Sequence, residues 1–311
     1  MKFGTYRLRR AAERRILGGS GPAARRLRHP WPAAAPWRRA AIDVVRDRGL
    51  GDVLLCTPAL REAKRANPAL SIRFFTDFPD LLRGLPYLAE VQHSALAPAG
   101  AITLGYEDAV PPRVHLARIL GDVLGVAVRD VRPDCVIDPD AVARFRAAWG
   151  AGPNVVVLRR AGRWTPNKDW PMPSWNALLA RLARDCRVIE IGTAWDAGAE
   201  VPAGAYVDLR GATDAAGLAA AVAAADLYVG PVSGPMHLAA AAGRPAVVIG
   251  GGYEAAANTA YPTSVILTET PPCAPCWRRD PCPIGLACLS AITVERVADA
   301  VTAALARAAA R

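Results

Sequence analysis

The sequence predicts an α/β protein with two doubly wound domains that face a cleft. Short apolar segments alternate with helical segments along the 311 residues, which requires crossover connections and therefore parallel sheets covered by helices on both faces. A glycine- and proline-containing stretch at 150–153 separates two such series. In each series, turns with polar or charged residues follow apolar strands. Since ligands of such sheets bind beyond the carboxyl ends of the strands, we expect functional residues in these turns.

The predicted elements divide the chain into three parts. A basic N-terminal arm covers residues 1–40, a first Rossmann-like domain covers 41–150, and a second covers 151–311 and includes a four-cysteine segment at 273–288. Length alone also favours about two domains. Strands are expected at 41–46, 71–76, near 89–91, near 102–104, and at 155–158, 187–191, 206–209, 227–230 and 246–250. Helices are expected from the turn at 49–52 to about 66, and at 114–124, 140–149, 175–182, 218–225, 235–242 and 293–309.

The arm holds the whole charge excess of the protein. The formal net charge is +10, and residues 1–40 carry eleven lysines and arginines against the single acid Glu13, so the remaining residues are neutral overall. Arginines together with Trp31 and Trp37 favour association of this arm with an anionic membrane surface. The alternative is a solvated tail. Nucleic-acid binding is disfavoured because few aromatic residues lie between the basic ones.

Hydropathy and cysteine usage indicate the compartment. No apolar run approaches the roughly 18 residues of a membrane-spanning helix, and the basic N-terminus lacks the apolar stretch of a secretory signal. The seven cysteines do not suggest a disulfide framework in such a chain. We therefore expect a cytoplasmic protein, with peripheral attachment to the inner face of the plasma membrane if the arm binds lipid.

The segment 226–241 predicts an anion site. A strand at 227–230 runs through a turn into a helix that has proline near its start, so free backbone N–H groups and the helix dipole point at whatever occupies the turn. The residues assigned to this helix start are Ser233, Gly234, Pro235, Met236 and His237. The alternative is an ordinary capped helix with a packed histidine.

Cations follow the first strand of the second domain. Arg159, Arg160, Arg163 and Lys168 are expected to project from the carboxyl end of this strand into the cleft, where they would neutralise a diphosphate leaving group. The alternative is a solvated loop. Gly192 and Thr193, which follow the strand at 187–191, are assigned to the same ligand.

The first domain has a matching turn at 49–52. Gly49 and Gly51 allow a ligand to approach the backbone closely, and Asp52 is a candidate general base for a hydroxyl across the cleft. The alternative for Asp52 is the N-cap of the following helix, because aspartate is a favoured cap.

These motifs occur in a characteristic order. Gly-Leu-Gly-Asp-Val with Thr-Pro-Ala-Leu, then Lys-Asp-Trp-Pro, then Ser-Gly-Pro-Met-His-Leu-Ala-Ala-Ala resemble glycosyltransferase family 9, the heptosyltransferases of lipopolysaccharide core assembly, over roughly residues 41–305. The resemblance implies a GT-B fold, an acceptor-binding first domain, a nucleotide-sugar-binding second domain, inversion at the anomeric carbon, catalysis without a metal, and ADP-heptose as donor.

The resemblance also implies residue roles. Asp52 would deprotonate the acceptor hydroxyl, Lys168 would contact the donor phosphates, Ser233 and Gly234 would hold the diphosphate, and His237 would line the same pocket. Many members carry an acid where this chain has Val232. That acid is expected to contact the donor sugar, so its replacement bears on the sugar and not on the phosphate chemistry.

Four cysteines form the pattern C-x2-C-x5-C-x5-C at Cys273, Cys276, Cys282 and Cys288. Such a hook can hold a tetrahedral thiolate site. Zinc would be structural there, and iron is the other option because some relatives that glycosylate autotransporter proteins have a cysteine iron finger. The alternative is a reduced cysteine cluster without metal. Cys56, Cys135 and Cys186 are expected in the core.

The sequence therefore predicts an inverting glycosyltransferase that moves a heptose-type sugar to lipopolysaccharide core. The first alternative keeps this chemistry with a protein or small-molecule acceptor. The second alternative is a non-catalytic nucleotide-sugar-binding subunit, which the presence of Asp52, Lys168 and His237 disfavours. A sugar epimerase of the same fold is disfavoured because no second carboxylate stands out. We expect a nucleotide-sugar donor, an anionic glycolipid or protein acceptor, and no nucleic acid as partners.

Overall fold

The computed structural model describes residues 35–47, 49–162, 165–196 and 204–310. Almost all of the basic arm, and with it the expectation of membrane contact, lies outside these residues, as does Arg163. From Ala34 onward the chain forms one compact unit. None of the helices in the described part of the chain combines the length and apolar character that a membrane crossing requires.

The end of the arm is attached to the first sheet. The Trp37 indole donates a hydrogen bond to the Gly125 carbonyl oxygen at 3.1 Å, and its ring packs against the core. The Asn67 amide donates to the carbonyl oxygens of Trp37 and Arg39. Trp37 is therefore a docking residue of the folded unit, which removes it from the tryptophans assigned to a membrane surface.

The first sheet has four parallel strands in the order β3-β2-β1-β4. Its strands are β1 (Ala41–Arg46), β2 (Ser71–Thr76), β3 (Glu90–His93) and β4 (Ile102–Thr103). In β1 the residues Ile42, Val44 and Arg46 are buried, whereas the intervening positions are more exposed. This alternation places the Arg46 side chain on the buried face at the carboxyl end of the strand.

The second sheet has six parallel strands in the order β10-β9-β8-β5-β6-β7. Its strands are β5 (Asn154–Leu158), β6 (Arg187–Ile191), β7 (Tyr206–Asp208), β8 (Leu227–Pro231), β9 (Ala246–Gly251) and β10 (Ser264–Thr268). All residues of β5, β8 and β9 are buried, as expected for central parallel strands. Strand β10 was not predicted. It is an edge strand with mostly partial burial, so it lacks the continuous apolar character of its neighbours.

The helices cover both faces of the sheets, and their bounds agree with the prediction to within a few residues. They are α1 (Leu50–Ala66), α2 (Leu116–Leu124), α3 (Pro139–Trp149), α4 (Met172–Asp185), α5 (Ala215–Ala224), α6 (Gly234–Ala241), α7 (Ala287–Ser290) and α8 (Val294–Ala309). The short helix α7 was not predicted.

Helix α3 belongs to the layer that covers the second sheet. It packs on α5, and the Arg146 guanidinium approaches the carbonyl oxygens of Ala223 and Ala224. One apolar core runs from the first sheet to the near face of the second, and another lies on the far face of the second sheet. The expected boundary at residue 150 therefore separates the two sheets in the sequence but not the helices that cover them.

The strand order identifies one switch point in each sheet. From β1 the chain moves in one direction to β2 and β3, whereas β4 lies on the other side of β1. Likewise β6 and β7 lie on one side of β5, and β8 lies on the other. Ligands of doubly wound sheets bind beyond the carboxyl ends of the strands at such points. The loops after β1, β4, β5 and β8 are therefore the places for a site.

A candidate active site between two helix starts

The first turns of α1 and α6 meet between the two sheets. A methyl group on Gly51 would lie 2.8 Å from His237 Cδ2 and 3.4 Å from Gly234 Cα, and one on Gly234 would lie 3.3 Å from the Gly51 nitrogen. Only residues without a side chain allow this approach. The positive ends of two helix dipoles thus point toward one region, which favours an anionic ligand there.

Asp52 is the third residue of α1 and not its N-cap, which is Gly49. One carboxylate oxygen, Oδ1, accepts a hydrogen bond from the Tyr106 hydroxyl at 2.6 Å. The other, Oδ2, lies 3.2 Å from Arg46 Nη2 and directly over Gly49, where a side chain would overlap it. Gly49 also has a positive φ of 69°. The side chain of Asp52 remains 29% exposed, so a substrate can reach it.

Arg46 links Asp52 to the loop after β4. Its guanidinium donates to the Leu104 carbonyl oxygen at 3.1 Å and to Glu107 Oε1 at 2.8 Å. Burial alone would lower the pKa of Arg46, but the hydrogen bond to Glu107 and the charges of Asp52 and Glu107 outweigh it, and the pKa is raised. For Glu107 the contact with Arg46 outweighs burial and lowers the pKa. Arg46 is thus a fixed cation and Glu107 a fixed anion.

Lys168 lies at the end of the loop that follows β5. Its ammonium group forms an ion pair with Glu254 and lies 4.6 Å from the centre of the Tyr253 ring. The Glu254 side chain is only 4% exposed and that of Lys168 is 17% exposed. The structure therefore presents a cation at the second switch point, held by a buried carboxylate that follows β9.

His237 belongs to a buried aromatic group at the joint between the sheets. Its Nδ1 is 2.6 Å from the Tyr261 hydroxyl, whose ring also contacts His115 edge-on. Burial, followed by the charges of His115 and Lys168, lowers the pKa of His237 to about 3. Burial lowers the pKa of His115 to about 4. Because both histidines are neutral at physiological pH, His237 supports the helix start by packing and adds no positive charge.

The start of α6 divides into accessible and buried residues. Ser233, Gly234 and Pro235 are half-buried, and the Ser233 hydroxyl contacts the Tyr228 hydroxyl and the Pro231 carbonyl oxygen. The Ser233 side chain does not cap the helix, so this end of α6 remains available for an anion. Met236, in contrast, is fully buried in the core. The structure therefore leaves Met236 no surface for a donor.

One of the predicted donor-facing cations differs from the expectation. Arg159 does not project into the cleft. It is buried and forms a bidentate ion pair with Glu190 of β6, at 2.6 and 2.8 Å. Arg160, the next residue, is exposed. Gly192 and Thr193 follow β6 at the same sheet edge, but the N–H and hydroxyl of Thr193 both donate to Asp196 Oδ2. The structure thus shows a self-contained turn at 192–196.

The four-cysteine segment lies beside the Lys168 loop. The Asn167 amide donates to the carbonyl oxygens of Arg278 and Asp280, and the Trp277 ring lies 5.5 Å from that of Tyr253. The segment therefore supports both the loop that carries Lys168 and the aromatic ring beside it.

The thiols of this segment are close enough to influence one another. Burial, followed by the charges of Cys273, Cys288 and Cys282, raises the pKa of Cys276. Across the described ranges, however, no three histidine, cysteine or acidic side chains are arranged as a metal site. The expectation of core positions is confirmed for Cys56 and Cys186, which are buried, while Cys135 is half-buried against the core.

The sequence prediction missed several residues of this site. Arg46, Tyr106 and Glu254 each contact a predicted residue, yet none was assigned a role. Arg46 ends β1, Tyr106 follows β4 and Glu254 follows β9, so the rule that ligands bind beyond strand ends could have identified them.

Comparisons with known proteins agree with this geometry. A family model described as glycosyltransferase family 9 (heptosyltransferase) matches residues 103–280, which is more than half of the chain. No curated protein sequence matches the chain.

Several solved structures have a similar fold. A family 9 glycosyl transferase from Veillonella parvula has a TM-score of 0.68 at 18% identity, covering 86% of this chain and 97% of that one. ADP-heptose lipopolysaccharide heptosyltransferase II from E. coli has a TM-score of 0.65 at 15% identity, covering 86% and 99%. The iron-containing dodecameric glycosyltransferase TibC from enterotoxigenic E. coli has a TM-score of 0.66 at 21% identity, covering 86% and 76%. The predicted GT-B architecture is confirmed.

Proposed function

The chain belongs to glycosyltransferase family 9, and we propose that it transfers a heptose-type sugar from an ADP-sugar to an acceptor hydroxyl with inversion. The observation that carries this proposal is the contact between the two helix starts, with a carboxylate on one of them and a cation in the loop after β5, the strand beside β8. Asp52 lies in the first turn of α1, whose Gly51 touches Gly234 of α6. Lys168 lies at the switch point from which α6 begins.

The chemical step follows from the placement of these groups. Asp52 takes the proton of the acceptor hydroxyl while the oxygen of that hydroxyl forms a bond to the anomeric carbon of the donor. The acceptor oxygen attacks from the side opposite the diphosphate. The bond between the anomeric carbon and the diphosphate breaks as the new bond forms, and the configuration is inverted. The diphosphate departs with the bonding electrons, and Lys168 and the start of α6 stabilise its charge. No metal takes part in this step.

The identity of the donor is supported less directly than the chemistry. A TibC structure in complex with ADP-D-β-D-heptose covers 86% of this chain with a TM-score of 0.65 at 20% identity. Val232, which replaces the acid expected to contact the sugar, is buried at 7% exposure. We therefore propose ADP-heptose as the first donor to test, with other ADP-sugars beside it.

For the acceptor we propose the lipopolysaccharide core. This acceptor is anionic and membrane-held, which fits a cytoplasmic enzyme with eleven basic residues in its first 40. A protein acceptor is the second candidate, and the four-cysteine segment supports it because iron fingers of that kind occur among relatives that glycosylate autotransporters.

We propose that Cys273, Cys276, Cys282 and Cys288 can hold a structural metal. Four thiols are the ligand set preferred by zinc and by iron, and all four lie in the short segment 273–288. Their arrangement in the described residues is not that of a formed site, so binding would require the segment to rearrange. Metal there would stabilise the segment that contacts the Lys168 loop.

The donor half-reaction tests the proposed function. We expect the protein to release ADP from ADP-heptose slowly in water and faster with a core-saccharide acceptor. Asp52→Asn should reduce transfer by about 10³-fold, because the general base is lost. Asp43→Asn is the matched control, since Asp43 pairs with Arg73 on the first sheet away from the helix starts. If wild-type protein releases no ADP from any ADP-sugar, or if Asp52→Asn transfers as fast as wild type, the proposal fails.

The acceptor and the membrane are tested separately. Deletion of residues 1–34, which leaves Trp37 and its contacts in place, should weaken binding to anionic vesicles in a salt-dependent way while ADP release in water persists. Unchanged vesicle binding would identify the arm as a solvated tail. Transfer to a protein and not to core saccharide would select the second acceptor class.

A further inference from the structure

Three groups from one short loop surround the Arg46–Asp52 pair. Residues 104–107 follow β4 and supply the Leu104 carbonyl oxygen and the Glu107 carboxylate to Arg46, and the Tyr106 hydroxyl to Asp52. Strand β4 pairs with β1, so this loop and the start of α1 form the two sides of the switch point in the first sheet. The loop is therefore a wall of the acceptor side.

We propose that Tyr106 is a positioning residue for the general base, and that its O–H bond to Asp52 Oδ1 aims and stabilises the ionised carboxylate. This inference rests on the proposed function, because it assumes that Asp52 accepts the proton of the acceptor. Tyr106 does not itself take part in the transfer of the sugar or the proton.

The surroundings of Tyr106 restrict it to the role of a donor. Burial, followed by the charge and hydrogen bond of Asp52, raises the pKa of Tyr106 well above its ordinary value. The charge of Glu254, the partner of Lys168, raises it further. The phenol therefore stays protonated at physiological pH and can only donate to the carboxylate. Its ring also lies 5.4 Å from the Arg46 guanidinium, which holds the hydroxyl in place.

Each oxygen of the Asp52 carboxylate contacts a different partner. Tyr106 binds Oδ1 at 2.6 Å and Arg46 approaches Oδ2 at 3.2 Å, so the carboxylate plane is held at both oxygens. An ionised carboxylate offers about four acceptor positions, and an acceptor hydroxyl can therefore still bind to one that remains. A base aimed in advance loses less entropy when the substrate arrives.

Several ionisable groups lie around the Asp52 carboxylate and contribute to the electrostatic field there. They comprise the direct partners, the groups linked to them, and a thiol on the same helix: Arg46, Tyr106, Glu107, Glu254 and Cys56. Burial raises the pKa of the Cys56 thiol, so that it stays neutral, and its Sγ lies 3.3 Å from the Asp52 carbonyl oxygen. The removal of the Tyr106 hydroxyl changes only one of these contributions.

The loops and helix α1 around the first sheet also form a second tyrosine–aspartate–arginine group, which serves as a matched control. The Tyr87 hydroxyl donates to Asp134 Oδ2 at 2.8 Å, and Arg61 Nη1 lies 2.5 Å from the same oxygen. The backbone N–H of Asp134 donates to Thr57 in the middle of α1, so this group is attached away from the start of that helix.

The test compares Tyr106→Phe with Tyr87→Phe in the full-length protein. Both substitutions remove one O–H that donates to a carboxylate and keep the ring. We expect Tyr106→Phe to lower kcat about tenfold with little change in the KM for the donor, because a hydrogen bond to a charged group is lost. In a plot of kcat against pH, the rise on the acid side should move by about one unit to higher pH, since the ionised carboxylate is less stabilised. Tyr87→Phe should change neither.

A second measurement does not depend on turnover. The carboxyl carbon of Asp52, assigned by comparison with Asp52→Asn, is followed by NMR as a function of pH in wild type and both variants. A higher midpoint in Tyr106→Phe alone supports the inference. Equal profiles and equal midpoints in the two phenylalanine variants overturn it. If wild-type protein has no transferase activity, the proposed function fails, and the NMR comparison still decides whether Tyr106 stabilises the carboxylate.

Discussion

The switch points of the two sheets differ in how their functional groups are held. Side chains hold the group at the first, whereas the helix start at the second has no side-chain cap. At the first, Asp52 is held by Tyr106 and Arg46 through side-chain contacts before any substrate is bound. At the second, the start of α6 has no side-chain cap, and Ser233 bonds back to its own strand instead. The difference fits the chemistry that we propose for each place. A base benefits from being aimed in advance, whereas a diphosphate needs backbone donors that are not already occupied.

The cations of the two switch points differ in the same way. Arg46 is buried between two carboxylates and a carbonyl oxygen, so it is a fixed part of the first site. Lys168 has a buried carboxylate, Glu254, on one side but retains 17% exposure. It can therefore meet an incoming phosphate without leaving its position in the loop.

At the second switch point, the largest expected effect comes from removing its cation. Lys168→Ala should lower kcat/KM for the donor by about 10²- to 10³-fold, because it removes the charge that we propose stabilises the leaving diphosphate. It should also lower the free energy of unfolding by about 3 kcal/mol, since Glu254 remains buried without its partner. Steady-state kinetics and urea unfolding measure the two effects.

The double variant Lys168→Ala/Glu254→Gln separates these effects. It should regain stability because the buried charge is removed, while donor turnover stays low. If kcat/KM recovers together with stability, Lys168 acts through Glu254 alone and its assignment to the phosphates is wrong.

An intermediate effect is expected where the two helix starts touch. Gly51→Ala places a methyl group 2.8 Å from His237 Cδ2, so the helix starts must move apart. A shift of about 1 Å can lower kcat by about 100-fold. The double variant Gly51→Ala/His237→Ala should recover part of this loss, because the colliding atom is gone. Kinetics on all three variants would contradict the steric explanation if the two substitutions were simply additive.

The smallest effect concerns the pH dependence of the free energy of unfolding, which arises from the two buried histidines between the sheets. The pKa values of His237 and His115 are lowered to about 3 and about 4, below the unfolded value near 6.5. The unfolded chain therefore binds more protons between these values, and the stabilisation present above pH 6.5 is lost as the pH falls. From pH 7 to pH 5 each histidine should reduce the free energy of unfolding by about 2 kcal/mol.

Urea unfolding at the two pH values measures this dependence. His115→Gln should weaken it, whereas His93→Gln should leave it unchanged because His93 is an exposed residue on the first sheet. An equal pH dependence in wild type and His115→Gln would show that His115 is not buried in its neutral form.

Local patterns predicted all of the described strands except the edge strand β10. The bounds predicted for β1, β2 and β6 are those observed, because each is a largely apolar segment next to a turn. Strand β10 was missed although it contains Val265, Ile266 and Leu267. It lies at the sheet edge, where only Leu267 is buried, and its sequence lacks the longer apolar run of the central strands. Arg159 was misplaced because its partner Glu190 comes from a neighbouring strand 31 residues away.

The sequence by itself determined the fold class, the family resemblance, and the candidates Asp52, Lys168 and Ser233 to His237, since each depends on a strand, a turn and a helix start that are adjacent in the chain. The tertiary structure alone decided which groups hold them. Tyr106 is 54 residues from Asp52 and Glu254 is 86 residues from Lys168. These pairs form because β4 is the neighbour of β1 in the first sheet, and because only β8 separates β9 from β5 in the second. Strand order depends on how the whole chain packs, so it cannot be derived from the local periodicity of the sequence.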